Sequence, residues 1–95
     1  MKLLRVQKLH GDTHKYAAVF ENDGRTKTTK FGAAGMDDYT LTHDKEQRAR
    51  YRFRHKKDLA TADPTRAGFL SYYILWGDST SILANIAAYR KRFRL

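Results

Sequence analysis

Cysteine is absent from these 95 residues, which removes disulfides, thiolate metal sites and cysteine nucleophiles from consideration. Proline occurs once, and no Pro/Gly-rich linker, internal repeat or low-complexity tract divides the chain, so one domain over 1–95 is expected. No apolar run approaches the length of a membrane span, and the start Met1-Lys2-Leu3-Leu4-Arg5 falls short of a signal-peptide apolar region. The expectation is a soluble, intracellular protein without a membrane partner. Acidic residues are scarce too: 10 Asp and Glu face 19 Lys and Arg, for a formal charge of +9. Such an excess favours nucleic acid or another anionic surface. Aromatic residues make up 13% of the chain, too many for a disordered basic tail, so it should fold by itself.

Catalytic signatures are missing as well. Gly32-Ala33-Ala34-Gly35 lacks the spacing and the following Lys-Ser/Thr of a P-loop and reads as a turn. His10 and His14 straddle Gly11-Asp12 and share no helical face, unlike a zinc-binding pair. Asp37 and Asp38 are too few oxygen ligands for a magnesium site and read as a solvated loop pair. No histidine is spaced to serve a nucleophile, and Ser71, Ser79 and Ser81 fall in helix or cap contexts. No enzyme, cofactor or metal is expected. Were the chain an enzyme acting on nucleic acid, Asp37, Asp38 and His43 would be the places to look for clustered groups.

The first third reads as β structure. Lys15–Glu21 and Arg25–Phe31 flank Asn22-Asp23-Gly24, a hairpin turn, and Leu4, Val6 and Leu9 suit a preceding strand. Asp44, with Gln47 three residues on, predicts a helix from about Lys45 to Asp58, although Arg50-Tyr51-Arg52-Phe53-Arg54-His55 alternates as a strand would. Asp63-Pro64 predicts a second helix ending at Gly77 and carrying Phe69, Leu70, Tyr73, Ile74 and Trp76. Asp78, Ser79 or Thr80 would cap a third, with Ile82, Ile86, Tyr89 and Phe93 on one stripe. The expected fold is α+β, a three-stranded antiparallel sheet followed by three helices. The rings Phe69, Tyr72, Tyr73, Trp76, Tyr89 and Phe93 are expected mainly in its core.

Seven of the fifteen residues from His43 to Lys57 are Lys or Arg, with Tyr51, Phe53 and His55 between them. On a helical wheel Lys45, Arg48, Arg52 and Lys56 share one face and Arg50, Arg54 and Lys57 another, with Ala49 and Phe53 between them on one side and Tyr51 and His55 on the other. Guanidinium groups neutralise phosphates, and rings can stack on bases or pack against the fold. Only Asp44 and Glu46 oppose the cluster. The expectation is therefore a phosphate grip led by Lys45, Arg48, Arg52 and Lys56, helped by Arg50, Arg54 and Lys57. Arg90, Lys91, Arg92 and Arg94 form a second basic group, of which Arg90, Arg92 and Arg94 are expected to join the nucleic-acid-binding surface, on equal terms with a reading in which the helix-end dipole alone explains them.

The runs Lys30–Thr40, Tyr51–Lys57 and Ala67–Ser71 through Leu75-Trp76-Gly77 resemble a family of small proteins encoded by large double-stranded DNA viruses of algae and amoebae. The similarity reaches from about Tyr16 to Phe93 and implies origin and fold, with no activity carried residue by residue. Together these readings describe a non-enzymatic basic protein of a large DNA virus that binds nucleic acid, DNA in first place, with little sequence preference. It would act inside the infected cell or be packaged in the virion. The rival is a virion structural or interaction protein whose positive face meets an acidic protein surface.

Overall fold

Asp23 and Gly24 both take positive φ, 53° and 79°. A two-residue type I′ turn requires that combination, and it joins β2 (His14–Asn22) to β3 (Arg25–Ala33) as a tight hairpin. β1 (Lys2–Lys8) pairs with the other edge of β2, so the sheet is antiparallel in the order β1-β2-β3. Strict alternation would place Leu3 and Val6 on opposite faces; a bulge between Leu3 and Arg5 turns both towards the core. Tyr16, Ala18, Phe20 and Phe31 complete that apolar face. The computed structural model describes residues Met1–Leu95.

The helices cover that face. α1 (Tyr39–Thr42) is a single turn absent from the sequence reading, capped by Asp38. α2 (Lys45–His55) begins at Asp44, whose carboxylate accepts from Glu46 N and Gln47 N, and tightens into a 3₁₀ segment over Lys56–Thr61. α3 (Ala67–Leu70) continues into a π-helical turn, Ser71–Leu75, and α4 (Ile82–Phe93) closes the layer. Phe69, Leu70, Ile74, Leu75, Ile86 and Tyr89 pack with the sheet residues in one cluster, joined by Trp76 at 7% exposure. The α+β class and three-stranded antiparallel sheet agree with the expectation, and the helix count is higher by one short turn.

Two helix starts differ from the expected ones. Asp63 Oδ1 accepts from Thr65 N at 2.9 Å and Thr65 Oγ1 at 2.7 Å, a side-chain turn that competes with helix capping, so the helix waits until Ala67. Thr65 is buried and ties this turn to the sheet by accepting from Thr29 Oγ1 and from Lys27 Nζ. The cap of α4 is Ser81, whose hydroxyl accepts from Ala84 N, rather than Asp78, Ser79 or Thr80. Gly77 acts by its size: a Cβ there would lie 2.2 Å from Tyr73 O and 2.8 Å from Asn85 Cγ. Asn85 is buried and clamps this bend, donating to Ile74 O and Ser79 O at 2.8 Å each. No helix is long and apolar enough to cross a membrane.

Candidate nucleic-acid interface

α2 contains no fully buried residue, so the fold holds it by one side only. Arg48, Tyr51, Arg52 and His55, at i, i+3, i+4 and i+7, form that side and are half-buried. Arg52 Nε donates to Trp76 O at 2.8 Å, and Arg52 Nη2 reaches Asp78 Oδ1 at 2.9 Å. Arg48 Nη1 donates to Gly77 O and Asp78 O, both at 3.2 Å, with its guanidinium 4.3 Å above the Tyr39 ring. Three of these acceptors are backbone carbonyls at the C-cap of the π-helical turn, Trp76, and in the bend just after it. Between the arginines, Tyr51 stacks on Trp76 at 4.3 Å and on His55 at 4.2 Å. Burial, and secondarily the Asp58 carboxylate, push the Tyr51 hydroxyl up to about 12.

This placement corrects the expected grip. Arg48 and Arg52, half of the face assigned the leading role, are turned inward as donors to the bend after the π-helical turn. The other half, Lys45 and Lys56, is exposed, and so are Arg50, Arg54 and Lys57. None of these five cations forms an ion pair, whereas Lys15 pairs with Asp38, Lys30 with Asp12 and Arg66 with Asp63. The Lys30 ammonium, 2.7 Å away, and the His14 backbone N–H hold Asp12 down at about 2, so that pair is charged across ordinary pH. Phe53 stands among the unpaired cations at 80% exposure. It shares a shallow surface with Ala49, Arg50 and Arg54.

The carboxyl-terminal cations divide in the same way. Arg90 is consumed by the edge of β1, donating to Leu3 O at 3.2 Å and Leu4 O at 3.3 Å. Arg92 lies 4.8 Å above the Tyr73 ring and, with Tyr72, lines a hollow of about 340 Å³ together with Arg52 of α2. That hollow brings one carboxyl-terminal arginine beside the inner side of α2. Arg94 is exposed and unpaired, at a left-handed φ of 56°.

Asp38 does not fit the solvated loop pair expected of it. It is buried, accepts from Thr40 N at 2.9 Å and from the Thr40 hydroxyl, and meets Lys15 Nζ at 2.6 Å. Asp37 stays exposed, and no group of three or more His, Asp or Glu is arranged to hold a metal ion. A larger cleft of about 710 Å³ separates the far end of the hairpin from α2; His14, Lys15, Tyr51, Arg54, His55 and Trp76 are among its walls. Arg54 therefore borders both this cleft and the Phe53 surface.

On the helical wheel Tyr51 and His55 fall on one side of the helix and Phe53 on the other, and the structure agrees. Helix phase separates them: Tyr51 and His55 are four apart and stack, while Phe53, two from each, lies about 200° round the axis, outside. The spacing alone carried that signal. Residues 4–55, from β1 to the end of α2, match the family described as "Family of unknown function (DUF5754)". The match covers more than half of the chain, which belongs to that family. Comparison with curated proteins and with solved structures finds no match.

Proposed function

We propose that this member of the DUF5754 family is a non-enzymatic nucleic-acid-binding protein that grips the phosphate backbone through the outer face of α2 and the segment after it. Arg50, Arg54, Lys56 and Lys57 supply the charge, with Lys45 at the amino-terminal end. The observation that carries the reading is that these five cations are exposed and without carboxylate partners while the same helix spends Arg48 and Arg52 on the fold. Unpaired cations on a convex helix meet phosphates by charge and hold few fixed donors for base edges, so sequence preference is small. The similarity to proteins of large DNA viruses suggests the infected cell as the setting and viral DNA as the first polymer to test.

The test is duplex binding by fluorescence anisotropy between 50 and 200 mM salt, about the range over which backbone binders lose affinity most visibly. Wild-type protein should bind scrambled duplexes alike, and Arg50, Arg54 and Lys57→Ala together should make the log–log salt slope shallower by about two to three units. A salt-insensitive interaction, or no retention at low salt, overturns the reading. An unchanged slope in the folded triple variant overturns the site.

A further inference from the structure

Phe53 is the most exposed of the large apolar side chains, at 80%, and it projects from a helix whose opposite side is firmly held. A ring of that size left in water costs hydration free energy that the fold does not recover, since Tyr51 and His55 already make the ring contacts on the inner side. Its surroundings narrow the occupant. Arg50 precedes it by three residues and Arg54, Lys56 and Lys57 follow within four, so positive charge lies on both sides of the ring along the helix axis. A second copy docking through the same patch would set these cations against each other, and Glu46 is the one carboxylate on this exposed side. A polyanion with a flat apolar face at every repeat meets both the charge and the ring.

We propose, resting on the phosphate-grip reading above, that the protein's preferred ligand is a single strand, one of whose unpaired bases stacks on Phe53 while flanking phosphates engage Arg50 on one side and Arg54 with Lys57 on the other. Duplex bases are stacked on each other and closed to a ring on a convex helix; an unpaired base offers its π-face without that competition. Stacking of this kind tolerates any base, in keeping with weak sequence preference. Arg54, at the border of the larger cleft, gives the strand a continuation from the Phe53 surface towards His14 and His55.

The experiment compares the full chain with Phe53→Ala and Phe53→Trp on three probes of equal length: oligothymidine, its duplex with oligoadenine, and an abasic phosphodiester oligomer. Wild-type protein should bind oligothymidine more tightly than the abasic strand. Phe53→Ala should weaken oligothymidine binding by roughly 5- to 150-fold and leave the abasic and duplex affinities in place, and Phe53→Trp should restore the loss. The exposed position makes these variants safe for folding, which circular dichroism checks. Unchanged oligothymidine affinity in Phe53→Ala, or an equal loss on all three probes, overturns the stacking proposal while the phosphate grip stands. Loss of self-association on sedimentation, with oligothymidine binding intact, assigns the ring to a protein contact and overturns it too. Failure of wild-type protein to bind the duplex or the abasic strand is the separate result that removes the phosphate grip beneath it.

Discussion

Arg48 and Arg52 alternate with Arg50 and Arg54 on one helix, yet the two pairs live in different solvents. The first pair is half-buried and donates to Trp76 O, at the cap of the neighbouring helical segment, and to Gly77 O and Asp78 O in the bend after it. The second pair is exposed and has no protein partner. A fork of N–H donors closing another element's carboxyl end works as a cap delivered from a distance, and guanidinium suits it because one group can reach two acceptors. Counting basic residues therefore overstates a binding site. Helix phase decides which charges belong to the fold and which are left to solvent, and α4 repeats the lesson with Arg90 on β1 and Arg94 in water.

The difference can be broken hardest by Arg48→Ala with Arg52→Ala. Hydrogen bonds from a charged donor contribute about 1.5–3 kcal/mol when buried, so for this half-exposed pair the double change should cost about 2–4 kcal/mol of stability. Trp76, the sole tryptophan, stacks on Tyr51 between the two arginines, so its emission reports the loss during denaturant unfolding. Duplex affinity, measured where the variant is still folded, should change little. A stable double variant that has lost DNA binding would reverse the roles assigned to the two pairs.

A gentler change sharpens the same contrast. Arg52→Lys keeps the charge but replaces a fork with a point, and one ammonium cannot hold Trp76 O and Asp78 Oδ1 in the geometry now seen. The expected cost is about 1 kcal/mol, since one charge-assisted bond survives. No loss in the unfolding midpoint would mean that charge alone, without geometry, holds α2 to the bend.

Much of the fold was legible because its signals are local. Asn22-Asp23-Gly24 gives the hairpin, Asp44 the start of α2, and Ile82, Ile86, Tyr89 and Phe93 the inward stripe of α4. What escaped depends on residues far apart in the chain. Asp63-Pro64 reads as a helix start until Thr65 is seen tied to Thr29 and Lys27 of β3, which fixes the local backbone as a turn. Gly77 does stand just past the end of the helical run, as it reads, but its small size is demanded by Tyr73 O and also by Asn85 of α4, which no local pattern shows. The site divides likewise. The cluster from Lys45 to Lys57 is visible at once, but Arg48 and Arg52 find acceptors 24 to 30 residues away, and no spacing within the cluster announces them. The split of Phe53 from Tyr51 and His55 was legible on the helical wheel; which side the fold covers was not, because Trp76, on which Tyr51 stacks, lies 25 residues further along the chain.

The smallest expected effect is also the most discriminating. Arg50→Lys with Arg54→Lys should leave stability within about 0.5 kcal/mol, since neither side chain has a protein partner to lose and lysine is nearly as good a helix former. The salt slope for duplex DNA should stay the same as well, because counterion release counts neutralised phosphates rather than the geometry of the cation. The same arginine-to-lysine exchange thus costs measurable stability at Arg52 and nothing at Arg50 and Arg54, two residues away on the same helix. Paired denaturant melts and salt titrations on both variants measure this directly. If Arg50→Lys with Arg54→Lys weakens duplex binding while the fold is intact, the outer arginines read phosphate by fixed bidentate contacts, and the interface is a shaped site instead of a band of charge.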